Sequence, residues 1–151
     1  MQSIVLASAS PRRAELLRQI GLSFLVQPAD IDETPASNES AEHYVERLAR
    51  EKALAGSASK PGCLVIGSDT SVVLEGRILG KPDTTGDATV MLQALSGTTH
   101  QVMTGVAVVH KGICESRLVI ANVRFRELLA AEIAAYVATG EPMDKAGGYG
   151  I

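Results

Sequence analysis

The side chains in this chain that could do chemistry are cations and carboxylates spread over several short segments. Near the N-terminus, Ser8-Ala9-Ser10-Pro11-Arg12-Arg13 gathers two hydroxyls and two guanidinium groups. A strand entering a helix through such a turn aims backbone N–H groups and the positive end of the helix dipole at one point. Arginine adds a planar fork suited to bidentate phosphate contacts. The same segment also reads as an ordinary capped helix with solvated arginines, and it lacks the glycine spacing and lysine of a P-loop. Asp69 follows a short apolar run, at the strand edge where open α/β sheets place ligand sites. A carboxylate there can orient a water, accept its proton or hold a divalent cation. A loop-capping aspartate is the plainer alternative. Lys81, between a glycine and a proline, Lys52, late in a helical stretch, and Asp32 and Glu33, in a polar loop, are each equally compatible with a solvated surface. The glycines of Asp144-Lys145-Ala146-Gly147-Gly148-Tyr149-Gly150 permit close backbone approach to a ligand, or form a flexible tail. His43, His100 and His110 make no metal-ligand pattern, and His100 is the one expected to be structural. Taken together, these groups suit a metal-assisted reaction on a polyphosphate.

The elements that must position them follow from apolar spacing. Ser3–Ala7 is too short for a helix and suits a buried strand. Ser10 is an N-cap and Pro11 fits the first helical position, with Leu16, Leu17 and Ile20 as the inward stripe and Gly21 as the stop. Leu22–Val26 reads as a second strand. Asp30–Glu39 is polar and irregular. Ser40 caps a long helix to about Ser57 with Tyr44, Val45, Leu48, Ala49 and Ala53 inward. Cys63–Gly67 is a short buried strand ending in Ser68-Asp69-Thr70, and Glu75-Gly76 turns a tight hairpin between Ser71–Leu74 and Arg77–Leu79. A helix over Asp87–Leu95, with Val90, Met91, Leu92 and Leu95 as its apolar residues, precedes two long strands, Gln101–Val109 and Ile113–Phe125, joined at Lys111-Gly112. A helix over Leu129–Thr139 stops at Gly140. The alternation gives an α/β fold, a mixed twisted sheet flanked by helices with a long antiparallel hairpin.

Composition bounds the rest. A chain of 151 residues with 46% hydrophobic and 21% charged side chains is ordinary for a folded domain. At this size roughly 68–70% of the unfolded surface is buried on folding. Aromatic residues are only 3% and tryptophan is absent, so the core is expected to be aliphatic. A net charge of −3 and a pI near 5.6 argue against nucleic acid or an anionic membrane as partner, but leave room for a local cationic pocket. Cys63 and Cys114 lie far apart and read as ordinary buried thiols rather than a disulfide. With no long apolar run, the expectation is a cytoplasmic protein.

The ordered set of motifs resembles a known family. Ser8-Ala9-Ser10-Pro11-Arg12-Arg13, Ala49-Arg50-Glu51-Lys52-Ala53, Gly67-Ser68-Asp69-Thr70, Gly80-Lys81-Pro82, Leu95-Ser96-Gly97 with His100-Gln101-Val102, and Asp144 through Ile151 match in order the Maf family of nucleoside triphosphate pyrophosphatases, also called septum formation inhibitor proteins. The resemblance runs over essentially the whole chain, 1–151, and implies a single Maf-like domain with an inosine-triphosphatase-like fold. It implies hydrolysis of a nucleoside triphosphate to the monophosphate and pyrophosphate with a divalent cation (Mg, Mn or Co). In that match Asp69 is the catalytic proton acceptor. Arg12, Arg13, Lys52 and Lys81 face phosphate beside Ser8 and Ser10, Glu33 joins Asp69 in binding metal or water, and Lys145 is the lysine of the last loop.

Arg12 after the proline and Thr70 after Asp69 resemble the branch acting on dTTP and UTP. The branch acting on 7-methyl-GTP carries an aromatic residue and a glutamine at those places. Family members continue past the position of Ile151 through a glutamine, a further strand and a closing helix, so the resemblance implies that C-terminal elements are missing here. It also implies a homodimer. The competing expectations are 7-methyl-GTP hydrolysis, and a non-catalytic nucleotide-binding regulator of cell division.

Overall fold

In the computed structural model, which describes residues 2–151, the chain opens with β1 (Ile4–Leu6). This three-residue strand pairs in parallel with β2 (Leu25–Val26) on one side and with β3 (Leu64–Leu74) on the other. The turn after β1 leads into α1 (Pro11–Gln19), where the Ser10 side chain accepts the Arg13 N–H and Pro11 occupies the first turn. The long helix α2 (Ala41–Ser59) starts at the Ser40 cap. A hairpin turn at Glu75-Gly76, both residues at positive φ, joins β3 to β4 (Arg77–Leu79). The helix α3 (Thr85–Leu95) begins with a capping box between Thr84 and Asp87. Then follow β5 (Thr99–His110), β6 (Ile113–Arg124), α4 (Ala130–Ala138) and two short 3₁₀ turns, Glu141–Asp144 and Ala146–Gly148. The sheet order is β2-β1-β3-β5-β6, with β4 paired to β3.

The residues fall into two compact units. One comprises residues 1–69 and 104–119, and the other residues 70–103 and 120–151. In the first, α2 buries Val45, Leu48, Ala49, Ala53 and Gly56. Small residues let this helix approach the strands closely. A Cβ at Gly67 would sit 2.5 Å from the Ala49 carbonyl and 2.5 Å from the Ala53 nitrogen, and one at Gly105 would sit 2.8 Å from the Val45 carbonyl. In the second unit, Val72, Leu74, Ala88, Leu92, Leu95, Val102, Ile133, Val137 and Tyr149 form the core. That core is aliphatic except at one end, where Phe125 and Tyr149 meet edge to face at 4.8 Å and the buried His100 shares a 2.6 Å hydrogen bond with the Tyr149 hydroxyl. The expectation that His100 is structural holds. Gly147, at φ +71, lets its segment lie against Val72, where a Cβ would come within 2.9 Å, and its N–H donates to the Gly80 carbonyl.

Four local expectations are corrected. The two apolar runs around Ser68-Asp69-Thr70 are one eleven-residue strand, because polar side chains inside it find partners; the Ser68 hydroxyl donates to the Gly105 carbonyl at 2.8 Å. In α1 the buried residue is Ala14, while Leu16 and Ile20 are exposed. In this orientation Arg13 donates back to the Ser8 hydroxyl. In α3, Ala88 rather than Val90 joins Leu92 and Leu95 in the core. Cys63 and Cys114 are free, as expected, but only half-buried.

The contact between α2 and Gly67 yields a stability prediction. Gly67→Ala would press a methyl group into helix backbone, which cannot rotate away. It is expected to lower stability by about 1–3 kcal/mol, as overpacking of a filled core does, measured by the urea midpoint; an unchanged midpoint would refute the close approach.

Candidate active site

The structure brings seven of the sequence-predicted residues into the first unit. Asp69 lies inside β3, buried, on the strand face that carries Gly67 (two residues apart, one face). Lys52 lies on α2. Its Nζ donates to Asp69 Oδ1 at 3.1 Å and pairs with Glu33 Oε1, also at 3.1 Å. One ammonium thus bridges two carboxylates that are far apart in sequence. Glu33 comes from the polar loop before α2 and remains 56% exposed, whereas Lys52 is 14% exposed.

The turn after β1 supplies the second cation. Arg13 donates through a guanidinium nitrogen to the buried Ser8 hydroxyl at 3.0 Å. Burial pushes its pKa below the ordinary arginine value, while the charges of Asp69 and Glu33 pull it back up. Ser8 Oγ also accepts the Ser10 N–H at 3.2 Å, and Ser10 Oγ accepts the Arg13 N–H at 3.3 Å. The serines therefore occupy amides that the sequence suggested were free for an anion. They hold the shape of the turn. Arg12 stands on the exposed side of the same helical turn.

Burial raises the Asp69 pKa above the usual carboxylate range; Lys52 and Arg13 oppose the rise and Glu33 adds to it. Asp69 Oδ2 is buried and has no hydrogen-bond partner among the described residues. That oxygen is the signature of a group meant to meet something else, because an unsatisfied buried acceptor is otherwise costly. Among the described residues, no three His, Cys, Asp or Glu side chains are arranged to hold a metal ion. Two carboxylates do converge, and Mg²⁺ is commonly held by one or two carboxylates with substrate phosphates completing its shell. The donor set, two carboxylates with one oxygen unpartnered, fits a hard divalent cation arriving with a polyphosphate.

The other predicted residues belong to the second unit. Thr70 is the next residue of β3. Lys81 is exposed in the loop after β4. Lys145 donates to the Glu141 carbonyl and to Asp144 Oδ1, both at 2.9 Å. The Asp144 carboxyl is held low by the hydrogen bond and charge of Lys145, with a smaller contribution from Lys81. The segment read as a glycine-rich tail is therefore built, with Lys145 paired to the Asp144 carboxylate.

The comparisons with known proteins bear on this geometry. A family model described as Maf-like protein matches residues 3–151. The chain belongs to the Maf family. Its curated relatives include a dTTP/UTP pyrophosphatase of Alcanivorax borkumensis, 54% identical over 150 residues, covering 98% of this chain and 78% of the relative. A dTTP/UTP pyrophosphatase of Salmonella typhimurium is 53% identical over 152 residues, covering all of this chain and 77% of the relative. Among solved structures, a HAM1 protein from Coxiella burnetii shares the fold at TM-score 0.53 and 19% identity, covering 82% of this Maf chain and 73% of that chain. No helix among the described residues is long and apolar enough to cross a membrane.

Residues that sequence reasoning passed over hold the Glu33 loop of this Maf chain. Glu39 accepts two hydrogen bonds from Arg47, at 2.6 and 2.8 Å, and one from the Ala36 N–H. The signal available was the spacing of Arg47 and Glu51, one helical turn apart, which makes an ion pair expected. Its partner in the loop was not legible. Arg47 holds the Glu39 carboxyl down at about 2. A carboxyl whose folded pKa is depressed contributes stability that is present above its unfolded value and lost as pH falls through the folded one. Glu39→Gln is therefore expected to lower the urea midpoint at pH 7 and to do so less at pH 3, where wild type has begun to lose the same contribution. An equal deficit at both pH values would refute the role of the Glu39 charge.

Proposed function

We propose that this chain is a nucleoside triphosphate pyrophosphatase that hydrolyses dTTP and UTP to the monophosphate and pyrophosphate. The observation that carries the proposal is the Lys52 bridge between Asp69 and Glu33, with Asp69 Oδ2 left unpartnered, in a chain more than half identical to curated dTTP/UTP pyrophosphatases. The match to Maf-like proteins over residues 3–151 supports treating the two units as one Maf-like domain. The half-buried free cysteines suit a reducing, cytoplasmic compartment. We assign the homodimeric state and the dTTP/UTP branch residues, Arg12 and Thr70, from the family resemblance.

The chemistry follows from these residues. The Asp69 carboxylate accepts a proton from water, and the oxygen of that water forms a bond to the α-phosphorus. The bond from the α-phosphorus to the bridging oxygen breaks, and pyrophosphate leaves with the electron pair. Burial raises the Asp69 pKa and Lys52 opposes that rise, favouring the ionised form in which the carboxylate acts as a base. Arg13 and Arg12 neutralise the phosphates beside the Ser8–Ser10 turn, and for Lys81 and Lys145 a substrate-binding role is assigned from the family resemblance alone. A divalent cation, for which Asp69 and Glu33 would be the ligands supplied by the chain, would contribute charge neutralisation of the triphosphate.

The test is pyrophosphate release from dTTP, UTP, CTP and 7-methyl-GTP with a divalent cation. Wild type is expected to prefer dTTP and UTP. Asp69→Asn is expected to lose at least about a hundredfold in kcat, the scale of a positioned general base. Full turnover by Asp69→Asn removes the assigned base; preference for 7-methyl-GTP removes the assigned branch.

A further inference from the structure

The loop that carries Glu33 has little apolar burial to hold it. Residues 32–38 are all exposed, and a segment of that kind is ordered by its polar ties. Some ties are internal: Asp32 Oδ1 accepts the Thr34 N–H at 3.0 Å and the Thr34 hydroxyl at 2.6 Å. The ties to the framework come from α2. The Tyr44 hydroxyl donates to the Glu33 carbonyl at 2.6 Å, and Arg47 donates to the Thr34 carbonyl at 3.3 Å as well as to Glu39. Glu51 takes the remaining side of the Arg47 guanidinium, at 3.1 and 3.2 Å, and the guanidinium lies 5.6 Å from the centre of the Tyr44 ring.

Lys52 follows Tyr44 by a little more than two turns of the same helix, about 12 Å along its axis at 1.5 Å per residue. One rigid element therefore carries both the cation and the donors that place its carboxylate partner. We propose that Tyr44 and Arg47 are positioning residues, holding the Glu33 backbone so that its carboxylate meets Lys52 beside Asp69. This rests on the proposed role of Glu33 at the phosphate-facing site. Burial and the charges of Asp69 and Glu33 raise the Tyr44 pKa, so the hydroxyl stays a donor across the working pH range.

The experiment is a double-mutant cycle for dTTP hydrolysis, with kcat and KM measured over a range of Mn²⁺ concentrations. Tyr44→Phe, which keeps the ring, is expected to lower kcat/KM about three- to tenfold, the scale of one lost hydrogen bond. In a Glu33→Gln background the same change is expected to have no further effect, because Tyr44 acts through Glu33. Effects that multiply overturn the proposal. So does full activity of Glu33→Gln, and in that case Asp69→Asn separately reports whether the pyrophosphatase assignment stands. Amide hydrogen exchange gives a readout independent of turnover. Tyr44→Phe and Arg47→Lys, which keeps the charge but loses the fork, are expected to speed exchange in residues 33–39 and leave β3 unchanged. Unchanged exchange in that loop overturns the proposal whatever the activity does, including in a chain that turns over no nucleotide.

Discussion

The distance between α2 and the strands beneath it governs the first unit. Gly67 and Gly105 offer no side chain to the helix, and Ala49, Ala53 and Gly56 offer almost none in return. Backbone therefore approaches backbone, and Lys52, one residue before Ala53, is brought to Asp69, two residues after Gly67. A methyl group at either glycine would have to be accommodated by moving helix backbone, and the ammonium would move with it. A packing constraint between the smallest residues thus becomes an electrostatic one between buried charges.

Those charges explain why the site needs several cations. Asp69 is buried in a strand interior, where an unpaired carboxylate would take up a proton rather than remain charged. Lys52 and Arg13 together offset Asp69 and Glu33, so the formal charges of the four groups cancel before any substrate arrives. Removing Lys52 would leave the buried Asp69 carboxylate without its paired cation, at a cost beyond that of a surface ion pair. The arrangement also leaves one buried oxygen of Asp69 without a hydrogen-bond partner among the described residues. An anionic polyphosphate with its cation and an attacking water is a ligand that such a site can accept without leaving a charge unmatched.

Much of the local structure was legible in the chain. Ser10 before Pro11, Ser40 before α2, the positive-φ turns at Glu75-Gly76 and Lys111-Gly112, and Gly140 after α4 are caps and turns whose residue types state their conformation. Reasoning failed where tertiary partners overrode local pattern. Ser68-Asp69-Thr70 looks like the end of a strand because it is polar, yet the strand continues, since Ser68 and Asp69 find partners on β5 and α2. Leu16 and Ile20 look like a core stripe, yet they are exposed and α1 buries Ala14 instead, with Arg13 hydrogen-bonded to Ser8. Tyr44 looked like a core aromatic, and its hydroxyl instead ties a loop.

The candidate residues themselves, Asp69, Lys52, Arg13, Glu33 and the first-turn serines, were identifiable by type and by the ordered motifs that mark the Maf family. Sequence alone also determined the chemistry these groups can perform, because charge and hydrogen-bonding capacity belong to the residue. Tertiary structure decided which of them meet. Ion pairing needs approach within a few ångströms, and that approach is set by helix-on-strand packing between residues remote in sequence. A local pattern reports cap, turn and period; it carries no measure of how close α2 lies to β3, and on that distance the site depends.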